Sequence, residues 1–161
     1  MKKDISIQIE KTAEDDFGVG FELEAWPFYW LTKAYGSYIA KMEDALHQVE
    51  LDIPRWRVLM LLEGEKARSV SYLSQEAISK LSTMTRIVSR MENDGLVETR
   101  ARASDARVRE VLLTKNGRRA RVLAWQKAEE IYKQSFSSMT RDEVDEFNRL
   151  LKKCNEGSKG I

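Results

Sequence analysis

The chain has 161 residues, of which 42% are hydrophobic and 33% are charged, a composition typical of a globular protein with a core and a solvated surface. No apolar run approaches the roughly 18 to 20 residues that span a bilayer, and the first residues lack the apolar segment of a secretory signal. The single cysteine, Cys154, excludes an internal disulfide. We therefore expect a cytoplasmic protein.

Charge is unevenly distributed along the chain, although the net charge is only +1. Residues 1–65 contain 7 Lys and Arg against 13 Asp and Glu, whereas residues 66–121 contain 13 against 6. Residues 122–161 contain 7 of each kind. A basic middle after an acidic start favours a face that binds a polyanion. A chance fluctuation of charge is the plain alternative.

The first predicted elements are an acidic arm and a long helix. Residues 1–22 show no helical period and predict a loose, flexible arm. The helix begins at Trp26, has Pro27 in its first turn and runs to about Glu50. Its apolar residues recur at spacings of three and four; they are Phe28, Leu31, Tyr35, Tyr38, Met42, Ala45 and Val49.

Three shorter helices are predicted next. Pro54 opens the first and Gly64 closes it, the second covers about Ser71 to Ile78, and the third covers about Ser82 to Asp94. The inward face of the third helix is predicted to comprise Leu81, Met84, Ile87, Val88 and Met91.

The opposite face of the third helix carries hydroxyl and guanidinium groups, which suit contacts with base edges and phosphates in a major groove. These candidate DNA-binding residues are Ser82, Thr83, Thr85, Arg86, Ser89 and Arg90. An ordinary amphipathic surface helix is the alternative.

After Gly95 the pattern changes to two strand-like runs, LVETRAR and VREVLLT, joined by ASDA. They predict a basic β-hairpin, and a protruding hairpin can insert an arginine into the negative potential of a narrow minor groove. The candidate contact residues are Arg100, Arg102, Asp105, Arg107 and Arg109. Asp105 would hold the guanidinium of Arg107 in one rotamer, or it would only stabilise the turn.

Beyond Asn116-Gly117 the chain returns to helix, and two helices are predicted. The first has a stripe of Val122, Trp125, Glu129, Tyr132, Phe136 and Met139. Thr140 and Glu143 form a capping box at the start of the second. The apolar face of this last helix comprises Val144, Phe147, Leu151 and Cys154, and we expect the Cys154 thiol to be buried and inert.

The order of these elements predicts a mainly α (α+β) fold, a winged helix-turn-helix with long N- and C-terminal dimerisation helices. Residues 52–115 would form the DNA-binding domain, and residues 23–51 and 116–157 the helical dimerisation region. A homodimer is expected because a domain of this size cannot cover the apolar stripes of the long helices by itself.

The chain resembles the MarR family of bacterial transcriptional regulators over roughly residues 25–155. The resemblance rests on IPRWRVLMLL, on VSYLSQEAISKLSTMTRIVSRMENDGLVETRARASDARVREVLLTKNGR and on the helical flanks. It implies a dimer on a near-palindromic operator, which often releases DNA when a small aromatic or phenolic molecule binds. It also implies roles by position: Thr83, Thr85 and Arg86 in the major groove, Arg90 near phosphate, and Arg107 in the minor groove with Asp105 as its orienting partner.

Bulky aromatic residues crowd the start of the long helix, in EAWPFYWLTKAYGSYIA, and they exceed what one packed face needs. We expect some of them to line an effector pocket. The candidates are Trp26, Trp30, Tyr38, His47, Arg55 and Trp56. The alternative is that these aromatic residues form the core and the dimer interface.

The sequence contains no catalytic motif and no cluster of His or Cys ligands, so we expect no enzymatic activity, no metal and no cofactor. We predict a sequence-specific DNA-binding regulator, a ligand-responsive repressor. Its expected partners are double-stranded DNA, a second copy of the chain and a small aromatic or phenolic effector, without a membrane. A helical module whose basic segment binds an acidic protein partner is the alternative.

Overall fold

A computed structural model describes residues 22–157. The predicted acidic arm, residues 1–22, lies outside this range except for Glu22. Two compact units divide the chain between Tyr35 and Gly36, within the first long helix. None of the helices in the described range has the combination of length and apolarity that crossing a bilayer requires.

The elements of residues 22–157 follow the predicted order, which confirms the mainly α winged helix-turn-helix fold. After a short 3-10 turn (Leu23–Ala25), they are α1 (Pro27–His47), α2 (Ile53–Leu61), β1 (Arg68–Ser69), α3 (Val70–Glu76), α4 (Leu81–Asn93), β2 (Val97–Arg102), β3 (Asp105–Leu113), α5 (Lys115–Ser135) and α6 (Arg141–Gly157).

The first unit contains the 3-10 turn and the start of α1. The indole N–H of Trp30 donates a hydrogen bond to the carbonyl of Glu24 at 2.8 Å. The rings of Tyr29 and Trp30 meet edge to face with centroids 5.0 Å apart, and the Lys33 ammonium lies 4.9 Å from the centroid of the Tyr29 ring. These local contacts organise the aromatic cluster at the start of α1.

The second unit contains a three-stranded antiparallel sheet in the order β1-β3-β2. The predicted hairpin corresponds to β2 and β3, with Val97 opposite Leu113 at its base. Strand β1, in which Arg68 lies opposite Val111, was not predicted. A strand of two residues has no alternation of polar and apolar side chains by which it could be recognised.

The core of the second unit lies where the helices meet the base of the hairpin. Its fully buried larger side chains are Met42, Leu46, Val58, Leu59, Leu62, Leu73, Met84, Met91, Val97 and Val111. Helix α4 contributes Met84, Val88 and Met91, as predicted. The prediction that Leu81 points inward is wrong: Leu81 is 52% exposed because it is the first residue of α4 and precedes the turns that pack on the core.

The predicted start of α6 is confirmed, whereas the predicted environment of its cysteine is wrong. The backbone N–H of Thr140 donates to the Glu143 carboxylate at 2.7 Å, and the N–H of Glu143 donates to the Thr140 hydroxyl at 3.3 Å. Val144 is buried, but burial decreases along the helix, and Cys154 is exposed. The last turns of α6 lie too far from the core of the single chain to bury its thiol.

The start of α5 depends on a close approach to the chain just after α4. The prediction that the helix starts beyond Asn116 and Gly117 is wrong: α5 begins at Lys115, and both residues lie in its first turn. Thr114 caps the helix by accepting a hydrogen bond from the Gly117 N–H at 3.0 Å. A Cβ atom at Gly117 would overlap the backbone carbonyl of Leu96, so only glycine allows α5 to begin at this position.

We expect Gly117→Ala to destabilise the protein by about 1–3 kcal/mol, since the added methyl group forces the backbone of Leu96 away from α5. Urea unfolding followed by circular dichroism measures this change. The matched control is Gly157→Ala at the end of α6, where an added Cβ meets nothing within 4 Å. Equal stability of the two variants would contradict the assigned contact.

Candidate nucleic-acid interface and neighbouring cavity

Helix α4 presents the polar face that the sequence assigns to DNA. All six of its candidate residues are exposed: Ser82, Thr83, Thr85, Arg86, Ser89 and Arg90. The helix begins after Lys80, whose side chain makes no capping hydrogen bond, so the first N–H groups of α4 have no side-chain acceptor at the N-cap position. The Thr85 hydroxyl donates to the carbonyl of Leu81 at 2.8 Å, which leaves its oxygen as an acceptor.

The tip of the hairpin holds one arginine in a defined orientation. The Asp105 carboxylate accepts hydrogen bonds from Nε and Nη2 of Arg107 at 3.1 and 3.2 Å. It also accepts the backbone N–H of Arg107 at 3.1 Å. The Arg107 side chain nevertheless remains 91% exposed. The carboxylate therefore fixes the guanidinium from one side and leaves it accessible from the other.

Arg107 favours the charged form of Asp105, a group that is ionised at neutral pH even at its ordinary pKa. The side-chain hydrogen bonds from Arg107, and then its backbone N–H, lower the pKa of the Asp105 carboxyl below its usual value. Because the pKa of Asp105 is lowered in the folded state, its interaction with Arg107 is fully formed above the ordinary pKa of aspartate. The interaction is lost only as the pH falls through the pKa of Asp105 in the folded protein. The orientation of Arg107 is thus insensitive to pH in the neutral range.

Two other arginines of the hairpin share one carboxylate. The Glu110 carboxylate on β3 accepts one hydrogen bond from Nε of Arg102 at 2.9 Å and one from Nε of Arg100 at 3.3 Å. The hydrogen bond from Arg102, followed by that from Arg100, lowers the pKa of Glu110. Both guanidinium groups are therefore tied to the body of the hairpin through Nε, and each has further N–H donors besides.

The fourth arginine links the hairpin to α4. Glu92, in the last turn of α4, accepts the backbone N–H and the hydroxyl of Thr99 at 3.0 and 2.6 Å. Arg109 in turn donates to the Thr99 hydroxyl at 2.7 Å and lies 3.7 Å from the Glu92 carboxylate. These contacts fix the angle between the hairpin and the helix, so the two basic elements form one surface.

A second set of ion pairs joins α4 to the start of α2. Arg90 donates to Asp52 at 2.8 Å, and Asp52 also caps α2 by accepting the backbone N–H of Arg55 at 2.9 Å. The guanidinium of Arg55 donates to Asp94, just after α4, at 3.1 Å. Two ion pairs, Arg90 with Asp52 and Arg55 with Asp94, therefore hold the start of α2 against the C-terminal half of α4 and the residue that follows it.

A cavity of about 510 Å³ lies beside α2 in the second unit. Its lining residues are Tyr38, Trp56, Trp125, Ala128, Glu129, Tyr132 and Lys133. The rings of Trp56 and Trp125 have centroids 6.5 Å apart, and Lys133 forms an ion pair with Glu129 at 2.8 Å. The cavity thus combines aromatic walls with one ion pair, a lining that suits a flat aromatic molecule.

The structure brings together only part of the predicted effector residues. Tyr38 and Trp56 line the cavity. His47 is exposed at the end of α1 and Arg55 is engaged by Asp94, so neither lines it. Trp26 and Trp30 belong to the first unit.

The remaining lining residues come from α5, and sequence reasoning did not select them. A signal was present in the apolar stripe of this helix, which contains Trp125 and Tyr132 with Glu129 as its one polar member.

Comparison with known proteins identifies the family. The model of the MarR family matches residues 51–108, which include α2, the helix pair and most of the hairpin. The HTH-type transcriptional repressor IacR of Pseudomonas putida is 41% identical over 131 residues, which are 81% of this chain and 78% of that protein. The chain belongs to the MarR family.

Two solved structures of DNA-binding proteins share the fold. One describes the regulation of DNA binding of Bordetella bronchiseptica BpsR by 6-hydroxynicotinic acid; it has a TM-score of 0.75 at 21% identity and covers 84% of this chain and 96% of its own. Another is a mutant MarR from E. coli complexed with operator DNA, with a TM-score of 0.72 at 21% identity, covering 81% of this chain and 95% of its own.

We expect Arg107→Ala to raise the pKa of Asp105 only part of the way to its usual value, since the backbone N–H at position 107 still donates to the carboxylate. Carboxyl chemical shifts recorded by NMR through an acid titration measure this change. Arg109→Ala is the matched control, because that arginine contacts Thr99 and Glu92 instead. A pKa of Asp105 that is the same in the wild type and in Arg107→Ala would contradict the pairing.

Proposed function

We propose that this MarR-family chain is a cytoplasmic, non-enzymatic repressor that binds a near-palindromic operator as a homodimer and changes its DNA affinity when a small aromatic molecule binds. The observation that carries the proposal is the Arg107 guanidinium, exposed and oriented by Asp105 at the hairpin tip, on the same surface as the polar face of α4.

The assignment of roles on DNA follows from how the arginines are held. Arg107 is the arginine that enters the minor groove, since its partner Asp105 lies beside it and its side chain is 91% exposed. Arg100, Arg102 and Arg109 are anchored to neighbouring carboxylates, so their remaining donors suit phosphates at the edge of the groove. The polar residues of α4 read the adjacent major groove.

A homodimer is supported by apolar side chains that the single chain leaves in water. On α5, Val122 and Leu123, which do not line the cavity beside α2, are 55% and 50% exposed. On α1, Phe28 and Tyr35 are 54% and 53% exposed. Large apolar side chains repeated along helices are typical of an interface, and a second copy of the same helices would bury them.

Ligand control is supported by the position of the cavity. Trp56 lines it from α2, and the same helix carries Arg55, which contacts the end of α4. A ligand against Trp56 thus has a short route to the recognition surface. DNA binding by the relative BpsR is described as regulated by 6-hydroxynicotinic acid, a small aromatic acid of a size that the cavity accommodates.

We expect Arg107→Ala to weaken operator binding roughly 10- to 150-fold, because a lost charge-assisted hydrogen bond is worth about 1.5–3 kcal/mol. Fluorescence anisotropy with an operator obtained by selection from random DNA measures this loss. Arg149→Ala on α6 is the matched control: it removes the same charge from an exposed arginine that is paired with Glu146.

Sedimentation should show both of these variants as dimers. Unchanged affinity of Arg107→Ala would contradict the role of the hairpin. The operator affinity of the wild type should fall on the order of 10³-fold between about 50 and 200 mM salt. A much smaller fall would instead favour an acidic protein partner.

For the cavity, we expect aromatic carboxylic acids to change tryptophan emission saturably and to lower operator affinity. In the variant Trp26→Phe/Trp30→Phe, the two remaining tryptophans of the chain are Trp56 and Trp125, and the signal should persist. Lys133→Ala should weaken binding of an acid more than binding of the matched carboxamide. A panel in which no compound alters either emission or operator affinity would contradict the proposed ligand control.

A further inference from the structure

Ile78, in the turn between α3 and α4, has an unfavourable backbone conformation and an unfavourable environment. Its φ angle is 51°, in the left-handed region, where the branched Cβ atom of isoleucine clashes with the backbone. Its side chain is 95% exposed, so no burial offsets the strain. Neither property benefits the folded chain alone.

The strain is imposed by hydrogen bonds of the turn. The backbone N–H of Ile78 donates to the carbonyl of Gln75 at 3.1 Å, and that of Ser79 donates to the carbonyl of Ser74 at 2.9 Å. These bonds close the C-terminal end of α3 through a left-handed residue, a position that favours glycine or asparagine. The isoleucine is therefore not explained by the turn.

Ile78 is accompanied by a second exposed apolar residue at the same end of α4. Leu81, three residues later, is 52% exposed, and the exposed Ser82 and Thr83 follow directly. Ile78 and Leu81, here called the apolar tip, therefore lead into the polar face of α4. Phosphates offer such side chains nothing, whereas the C5-methyl group of thymine is an apolar surface on the edge of the major groove.

We propose that Ile78, assisted by Leu81, is a specificity-determining residue that packs against thymine methyl groups in the operator. The proposal rests on the proposed DNA-binding function and adds a base preference to it. Strained backbone is retained at functional sites when the strained residue makes a contact needed elsewhere. Replacing Ile78 by glycine should therefore raise the melting temperature while lowering operator affinity.

The test removes the methyl group from the DNA instead of from the protein. A selected operator is resynthesised with deoxyuridine in place of thymidine, one symmetric pair of positions at a time, and binding is measured by anisotropy. For the wild type, we expect one pair to lose about fourfold in affinity per methyl group, the value of one buried apolar carbon. For Ile78→Gly, the thymidine and deoxyuridine operators should bind equally at that pair. Leu81→Ala should reduce the difference only partly.

Two results would overturn the proposal. The first is wild-type protein that binds every deoxyuridine operator as tightly as the original, which would show that no methyl contact exists. The second is Ile78→Gly that retains the full discrimination, even if it binds both operators more weakly, which would indicate a role in shaping the turn only. Ile78→Asn, which tolerates the same backbone angle, distinguishes turn geometry from side-chain contact, since it should behave like Ile78→Gly. Failure of the wild type to select any operator would refute the proposed function itself.

Discussion

Pairing of carboxylates with guanidinium groups decides how the basic segment is organised. Without partners, arginines this close together would repel one another and adopt many rotamers. Glu110 holds two of them and Glu92 approaches a third through Thr99, so charge is distributed along the hairpin in fixed positions. Asp105 acts differently, because it holds Arg107 at the tip and leaves that side chain exposed. The carboxylates thus orient the basic surface more than they neutralise it.

The same chemistry connects the hairpin, α4 and α2. Glu92 joins α4 to the hairpin. Asp52 joins the start of α2 to Arg90 in α4, and Arg55 joins α2 to Asp94 just after α4. Partly exposed ion pairs of this kind each contribute little stability, about 0–1 kcal/mol. Their effect is on orientation. A small movement of α2 would shift α4, and the hairpin that is bound to α4 would move with it. Because Trp56 on α2 also lines the cavity, ligand control requires no distant coupling route.

Stability and recognition have opposite requirements at the turn before α4. The backbone hydrogen bonds of the turn favour a residue without a branched Cβ atom, yet the chain has isoleucine there, exposed to water. At Gly117 the requirement of the fold prevails, since any side chain would collide with the Leu96 carbonyl. Gly117 thus meets a packing requirement of the fold, whereas the side chain of Ile78 is exposed at the surface proposed to read DNA.

Periodicity and capping residues were enough to predict the long helices, the helix pair, the hairpin and the capping box at Thr140, since these signals are local along the chain. The polar face of α4 and the pairing of Asp105 with Arg107 were predictable for the same reason: their groups are separated by two to eight residues. The two-residue strand β1 was not predictable because it is too short to show an alternation. The exposure of Leu81 and Cys154 and the glycine contact at Leu96 were not predictable because each depends on how segments distant in sequence pack together.

The amino-acid sequence by itself determined the fold class, the basic hairpin and the polar face of α4, because period and charge are properties of the sequence along the chain. Only the tertiary structure decided which carboxylates hold the arginines other than Arg107, since Arg90 and Asp52, for example, are 38 residues apart. It also decided that α5 joins Tyr38 and Trp56 around the cavity, while Arg55 is engaged by Asp94. Contacts between distant segments depend on how the helices pack, and no local pattern specifies that packing.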